Sequence, residues 1–228
     1  SYLTFVVALG IGWSVVEGRL RLDAGYARQA LGYGLRSHVG WLAELLNYRL
    51  DLLFVHALAG ARSLGLYSAA VSLAETLWIL PGCTSVILMP RLASAGGRSG
   101  DTTAVVCRVS LSATLVAAGV LALVASPALT LLYGPDFSPA ATPLLILLPG
   151  VVALSLVKIL AADFGARDRP GLVSLISWVS LSVTVVLDLW LIPPFAASGA
   201  ALASTSAYAL AAQVTVIGYG HVAHTTAP

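Results

Sequence analysis

The chain has 228 residues, of which 58% are hydrophobic and 10% are charged, and its mean hydropathy is +0.92. This composition excludes an ordinary soluble domain, and the net charge of +2 does not indicate a surface that binds nucleic acid. Apolar runs of about 20 residues recur along the chain without the alternation of membrane strands, so the sequence predicts an all-α, polytopic bundle of transmembrane helices.

The N-terminal part divides into two short segments. Residues 1–16 are apolar but shorter than the roughly 20 residues that cross a bilayer, and they lack the basic start and cleavage site of a signal peptide. We expect them to be the end of a truncated transmembrane helix. Residues 17–33 are polar and rich in arginine, which predicts a cytoplasmic linker between two lobes. We therefore expect the C-terminal part of a longer, transporter-like membrane chain, with a lobe over residues 34–219 and a cytoplasmic tail over 220–228.

Six complete spans are predicted in this lobe, in addition to the truncated one. Their connections are short, which makes successive helices antiparallel neighbours. Arginines are concentrated in alternate connections, and the positive-inside rule places the linker and the tail in the cytoplasm. The spans cover residues 34–60, 64–89, 103–132, 140–163, 171–192 and 199–219.

Proline and small residues predict kinks and close packing in some of the spans. Pro81 and Pro149 are each followed by glycine and predict kinks in the second and fourth spans. Such interruptions mark moving segments in transporters, although membrane helices also simply tolerate proline. Gly199, Ala203 and Ala207 recur at intervals of four residues and predict a tightly packed face on the last span.

The first full span contains the polar residues that point most directly to function. On a helical wheel one face carries Glu44, Asn47, Tyr48 and Asp51, whereas Arg49 and His56 share a roughly opposite one. An Arg or Asp at the centre of a membrane helix costs about 2.5 to 3.5 kcal/mol on insertion scales, and such residues usually face a partner, a cavity or a substrate path. We expect Arg49 to provide a cation near mid-membrane.

Two further charged residues lie inside predicted spans. Glu75 is near the middle of the second span, where it either couples transport to a proton or cation or forms an ion pair with Arg49. Lys158 is near the cytoplasmic end of the fourth span, where snorkelling to the interface is the alternative to a role in binding.

The remaining candidates have structural explanations. Asp163 and Arg167 are four residues apart and are predicted to pair at a helix end. Asp188 lies near the outer end of the fifth span, where a carboxylate needs no function. Cys83 and Cys107 are predicted to be buried thiols rather than a disulfide or a metal site. No nucleotide-binding loop, metal-ligand cluster or nucleophile elbow occurs in the sequence, so we expect no catalytic residue, cofactor or metal.

Several short motifs in a fixed order resemble one family. Residues 48–70 are similar to an R-x-D helix followed by L-G-x-Y-x-x-A, and residues 133–141 are similar to a Y-G-x-x-F-x-x-A loop. Residues 166–170 resemble an A-x-G-R-P turn with Asp168 in place of glycine, and residues 191–203 resemble L-I-P followed by G-A-A-L-A. The chain thus resembles the oligosaccharide-lipid flippases of O-antigen and other polysaccharide biosynthesis, within the multidrug/oligosaccharidyl-lipid/polysaccharide exporter superfamily.

The resemblance implies a transporter of two six-helix lobes in the bacterial cytoplasmic (inner) membrane. By alternating access it would flip a polyprenyl-pyrophosphate-linked oligosaccharide to the outer leaflet, where lipopolysaccharide and other cell-envelope glycans are built. The implied partners are the lipid-linked oligosaccharide, membrane lipids and a missing N-terminal lobe. Asp188 departs from the asparagine that the family often has at this position.

Physical and family arguments agree on a cationic binding cavity, because a pyrophosphate needs Arg or Lys to enter the membrane. We predict that Arg49 binds the pyrophosphate, with Asp51, Glu75, Glu44 and Lys158 as further substrate-binding residues. One alternative is a drug or cation exporter of the same superfamily, in which Asp51 and Glu75 would bind the substrate. Another is a membrane enzyme of polysaccharide assembly, which the short outer loops disfavour.

Overall fold

The computed structural model describes residues 24–94, 100–167 and 169–225, and within them the chain is almost entirely helical and contains no strand. Four stretches of these residues are long and apolar enough to cross a membrane, namely His38–Leu88, Thr103–Leu123, Pro135–Ala166 and Pro170–Gly220. The prediction of an all-helical membrane protein is therefore confirmed. The helices are α1 (Ala24–Asn47), α2 (Leu50–Glu75), α3 (Ile79–Ser94), α4 (Gly100–Leu123), α5 (Ala125–Tyr133), α6 (Ala141–Ala166) and α7 (Pro170–Thr225), with 3₁₀ turns at Thr76–Trp78 and Pro135–Ala140.

The chain forms two compact units, divided between Gly34 and Leu35. In the first unit the structure describes residues 24–34, which are helical, so the predicted linker is helical over residues 24–33. The predicted truncated span, residues 1–16, lies outside the described residues. In the second unit α7 continues to Thr225, which makes the described part of the predicted tail helical. The candidate site lies wholly in this second unit.

Two of the four membrane stretches contain a point where the chain reverses. Gly60 in α2 has a φ of +80°, and Ala196 in α7 has a φ of +49°. The Tyr67 hydroxyl donates to Asp51 Oδ2 at 2.5 Å, although these residues would be about 24 Å apart along a straight helix. Similarly, a Cβ added to Gly199 would collide with the carbonyl oxygen of Leu191. Each stretch is therefore a helical hairpin.

Helix α6 is the centre of the second unit. It contacts α2, α3, α4 and α7 and has buried residues on every side, as expected of a helix that is apolar all round. Gly150 permits a close approach of α6 to α7, because a Cβ there would lie 2.7 Å from Thr205 Cα. The kink predicted at Pro149 does not interrupt the helix, since α6 is continuous through this residue. The second predicted span is interrupted by the 3₁₀ turn Thr76–Trp78. Pro81 follows this turn and lies in the first turn of α3.

Surface exposure separates the packed faces from the outer ones. The small-residue face of the last span is buried as predicted, with Ala203 and Ala207 inaccessible. Leu123 and Leu131 are each 85% exposed, which suits contact with lipid rather than water. The two cysteines are free thiols as predicted, but Cys83 is exposed instead of buried.

Candidate functional site

The first full span is interrupted in the middle of its polar segment. Helix α1 ends at Asn47 and α2 begins at Leu50, with Tyr48 and Arg49 in a turn between them. The amide of Arg49 donates to the carbonyl of Leu46, three residues earlier, at 3.1 Å. In an α-helix the amide would instead donate to the carbonyl four residues earlier. The turn directs Tyr48 into the bundle and leaves the Arg49 side chain exposed. The Arg49 side chain forms no hydrogen bond or ion pair with any described residue.

Lys158 is a cation that the structure places inside the bundle, beside the polar residues of the first span. Its Nζ lies 3.0 Å from Glu44 Oε1, and the same oxygen accepts a hydrogen bond of 2.7 Å from the Tyr48 hydroxyl. The ammonium group is also 5.4 Å and 5.1 Å from the ring centroids of Tyr48 and Trp78, within the range of cation–π attraction. The side chain is only 21% exposed. The ammonium group thus points towards Glu44 and the two rings inside the bundle, which disfavours the snorkelling that the sequence suggested for Lys158.

A cavity of about 230 Å³ lies beside this ion pair. Its walls come from α1, α3, α6 and α7, and they are mostly apolar with a few polar groups. Pockets that enclose a drug-sized ligand measure roughly 300–1,000 Å³, so this cavity holds a part of a large molecule rather than the whole. The polar residues that line it are Glu44, Asn47, Tyr48, Ser85, Lys158, Ser177, Ser180 and Thr215.

Asp51, in the first turn of α2, forms a second polar cluster with residues of α2 and α7. Its carboxylate is buried, and it accepts hydrogen bonds from the Leu52 amide at 2.8 Å, the Tyr67 hydroxyl at 2.5 Å and the Ser204 hydroxyl at 3.4 Å. Glu75 lines a small cavity of about 20 Å³ together with Asp51. The Glu75 side chain has no hydrogen bond or ion pair within the described residues, so the ion pair with Arg49 that the sequence left open is not formed.

A third cluster joins α4, α6 and α7 around Asp163. The Arg167 guanidinium donates to Asp163 Oδ1, which confirms the predicted pair, and this hydrogen bond raises the pKa of Arg167. Asp163 Oδ2 accepts from the Thr103 hydroxyl at 2.7 Å and from the Tyr219 hydroxyl at 3.3 Å. Sequence analysis missed the last two residues, because they are 60 and 56 positions away from Asp163.

Asp188 differs most from the sequence-based expectation. The residue is 0% exposed, and neither carboxylate oxygen has a hydrogen-bond partner in the described structure. Asp188 is therefore not the solvated carboxylate that a position near a helix end would predict, because neither water nor a donor reaches its oxygens in the described structure. The one signal in the sequence was the departure from asparagine in the motif resemblance.

Apolar helices long enough to cross a membrane make this a multi-pass membrane protein. Residues 2–142 match the family described as polysaccharide biosynthesis protein, which is more than half of the chain, so the chain belongs to that family. The matched residues include Glu44, Arg49, Asp51 and Glu75, whereas Lys158 lies outside them. A search of curated proteins and a search of solved structures each found no match.

Proposed function

We propose that the chain is the C-terminal lobe of a transporter that flips polyprenyl-pyrophosphate-linked oligosaccharide across the bacterial cytoplasmic membrane by alternating access. Membership of a polysaccharide biosynthesis family and several apolar helices support a transporter rather than an enzyme. The observation that carries the proposal is the Lys158 ammonium beside a cavity within the membrane stretches. A cation in such a place suits an anionic group that must cross the bilayer.

The hairpins support six crossings. Each of the two longest stretches, His38–Leu88 and Pro170–Gly220, contains 51 residues, enough for two passages of about 20 residues. Together with the two single stretches they amount to six, the number expected of one lobe. A cavity too small for a whole lipid-linked sugar also suits a lobe that supplies one wall of a larger binding site. The other wall would come from an N-terminal lobe.

The ion pair defines how a phosphate is bound. Glu44 neutralises Lys158 when the cavity is empty of substrate, and a phosphate oxygen that approaches the ammonium takes over this role. Charge-assisted hydrogen bonds to phosphate are about twice as strong as neutral ones, and the rings of Tyr48 and Trp78 hold the ammonium in place. The exposed guanidinium of Arg49 provides a second phosphate ligand on the outer side of the same turn.

Substitution of Lys158 in the full two-lobe transporter tests the proposal. Flipping of lipid-linked oligosaccharide into reconstituted liposomes should fall about 10- to 150-fold in Lys158→Gln, because a hydrogen bond to a charged group contributes about 1.5–3 kcal/mol. Lys158→Arg should retain part of the activity. Arg62→Gln removes an exposed cation beside the first hairpin turn and serves as the control. Wild-type flipping by Lys158→Gln would contradict the proposal.

A second candidate, an exporter of organic cations, is favoured by the surroundings of the Lys158 ammonium. One carboxylate and two aromatic rings within 5.4 Å form an arrangement that binds cations in general. If this were the binding site, Lys158→Ala would vacate it, and a quaternary ammonium compound would bind and be exported. If Lys158→Ala loses oligosaccharide flipping and does not bind the quaternary ammonium compound, the result favours the flippase over the cation exporter.

A further inference from the structure

Asp188 is a buried carboxyl group that no described residue stabilises as an anion. It is 0% exposed, and both of its oxygens lack hydrogen-bond partners. Burying an ionised carboxylate without donors is so costly that the group takes up a proton instead. Asp188 is thus neutral when the bundle is closed around it.

The neighbours of Asp188 also oppose a negative charge. The contact of Leu191 with Gly199 sets the register of the second hairpin, so Asp188, about one turn before Leu191, lies level with residues 202–204 of the returning helix. Ser204 in this returning segment donates to Asp51, and the charge of Asp51 acts on Asp188. The other ionisable group that faces Asp188 is the Tyr208 hydroxyl. No cation faces Asp188 within the described structure.

The carboxyl groups of Asp51 and Asp188 differ in the hydrogen-bond donors around them. Asp51 accepts three hydrogen bonds, from a backbone amide and two hydroxyl groups, which stabilises its charge. Asp188 accepts none. When two acids share a site, such a difference determines which of them holds the proton. Asp51 is the ionised member of this pair, and Asp188 is the protonated one.

We propose that Asp188 carries the proton that drives transport. The inference rests on the proposed transport function and assigns its coupling step to one residue. When the hairpin opens to water, the carboxyl O–H bond breaks, the proton passes to a water molecule on the open side, and the carboxylate is left hydrated. The carboxylate stays hydrated while access changes to the other side, and a proton taken up there from water allows Asp188 to be buried again. A proton fits better than a metal ion, because a metal ion takes several oxygen ligands and the Asp188 oxygens have no polar neighbour in hydrogen-bond contact.

Infrared spectroscopy of the full transporter in lipid nanodiscs tests the protonation. At neutral pH the C=O stretch of a buried, protonated carboxyl group should be present in wild type and absent in Asp188→Asn. Asp136→Asn, which changes an exposed carboxylate, should keep the band. A band that is unchanged in Asp188→Asn would overturn the proposal.

A transport assay tests the coupling. In Asp188→Asn, accumulation driven by a pH gradient should be lost, while exchange of labelled substrate without a gradient continues at the wild-type rate. Asp188→Glu should keep the driven mode. Proton-driven accumulation in Asp188→Asn, or accumulation in wild type that follows a sodium gradient alone, would overturn the inference and leave the flippase proposal intact. If wild type moves no lipid-linked oligosaccharide, the proposed function fails, and the infrared band still decides whether Asp188 is protonated.

Discussion

Replacing Glu44 by Gln should tighten the binding of a pyrophosphate group in the full transporter. Glu44 competes with the substrate for the Lys158 ammonium, which is 3.0 Å away. The side chains of Lys158 and Glu44 are 21% and 39% exposed, so the pair lies between a surface salt bridge, which contributes about 0–1 kcal/mol, and a buried one. After allowance for screening by water, removal of this competition should be worth about 1 kcal/mol, or about fivefold in Kd.

Calorimetric titration of inorganic pyrophosphate into the purified transporter measures this effect. Glu44→Gln should bind about fivefold more tightly than wild type, and Glu44→Gln combined with Lys158→Gln should bind as weakly as Lys158→Gln alone. Asp136→Asn is the control, because Asp136 is an exposed carboxylate that does not line the cavity. Weaker pyrophosphate binding by Glu44→Gln would refute the reasoning, since Glu44 would then be supporting the phosphate site instead of masking it.

Three further predictions concern stability and are measured by equilibrium unfolding in mixed micelles. Arg167→Met should destabilise the protein by about 3 kcal/mol, since it leaves Asp163 buried and unpaired, whereas adding Asp163→Leu should restore most of the loss. Gly150→Val should cost about 1–3 kcal/mol, because its Cβ would lie 2.7 Å from the α7 backbone. Gly60→Ala should cost a similar amount, about 1–3 kcal/mol, through its φ of +80° alone, as no atom lies within 4 Å of an added Cβ. Gly119→Ala has the same open space without the positive φ, and an equal loss there would contradict the last prediction.

Sequence patterns gave the features that depend on neighbours along one helix. The wheel separated Asp51 from Arg49, and in the structure the first is buried and the second exposed. The Asp163–Arg167 pair followed from a spacing of four residues. The reversal at Gly60 lies at the end of the first predicted span, where a glycine permits the positive φ that the turn requires. Each of these features is fixed within a few residues of chain.

The partners of the buried charges were decided by the tertiary structure. Glu44 and Lys158 are 114 residues apart, and nothing in either segment indicates which turn of α6 lies against the first span. For the same reason the sequence could not predict that Asp188 lacks a hydrogen-bond partner. It shows a carboxylate, but it does not show whether the helices around it carry a donor. By itself the sequence determined a helical membrane protein and the polar face of each helix, since both follow from composition and a local period of 3.6 residues. The register between helices depends on side-chain packing across the bundle, and that packing alone selected Lys158 as the cation of the cavity and left Asp188 without a partner.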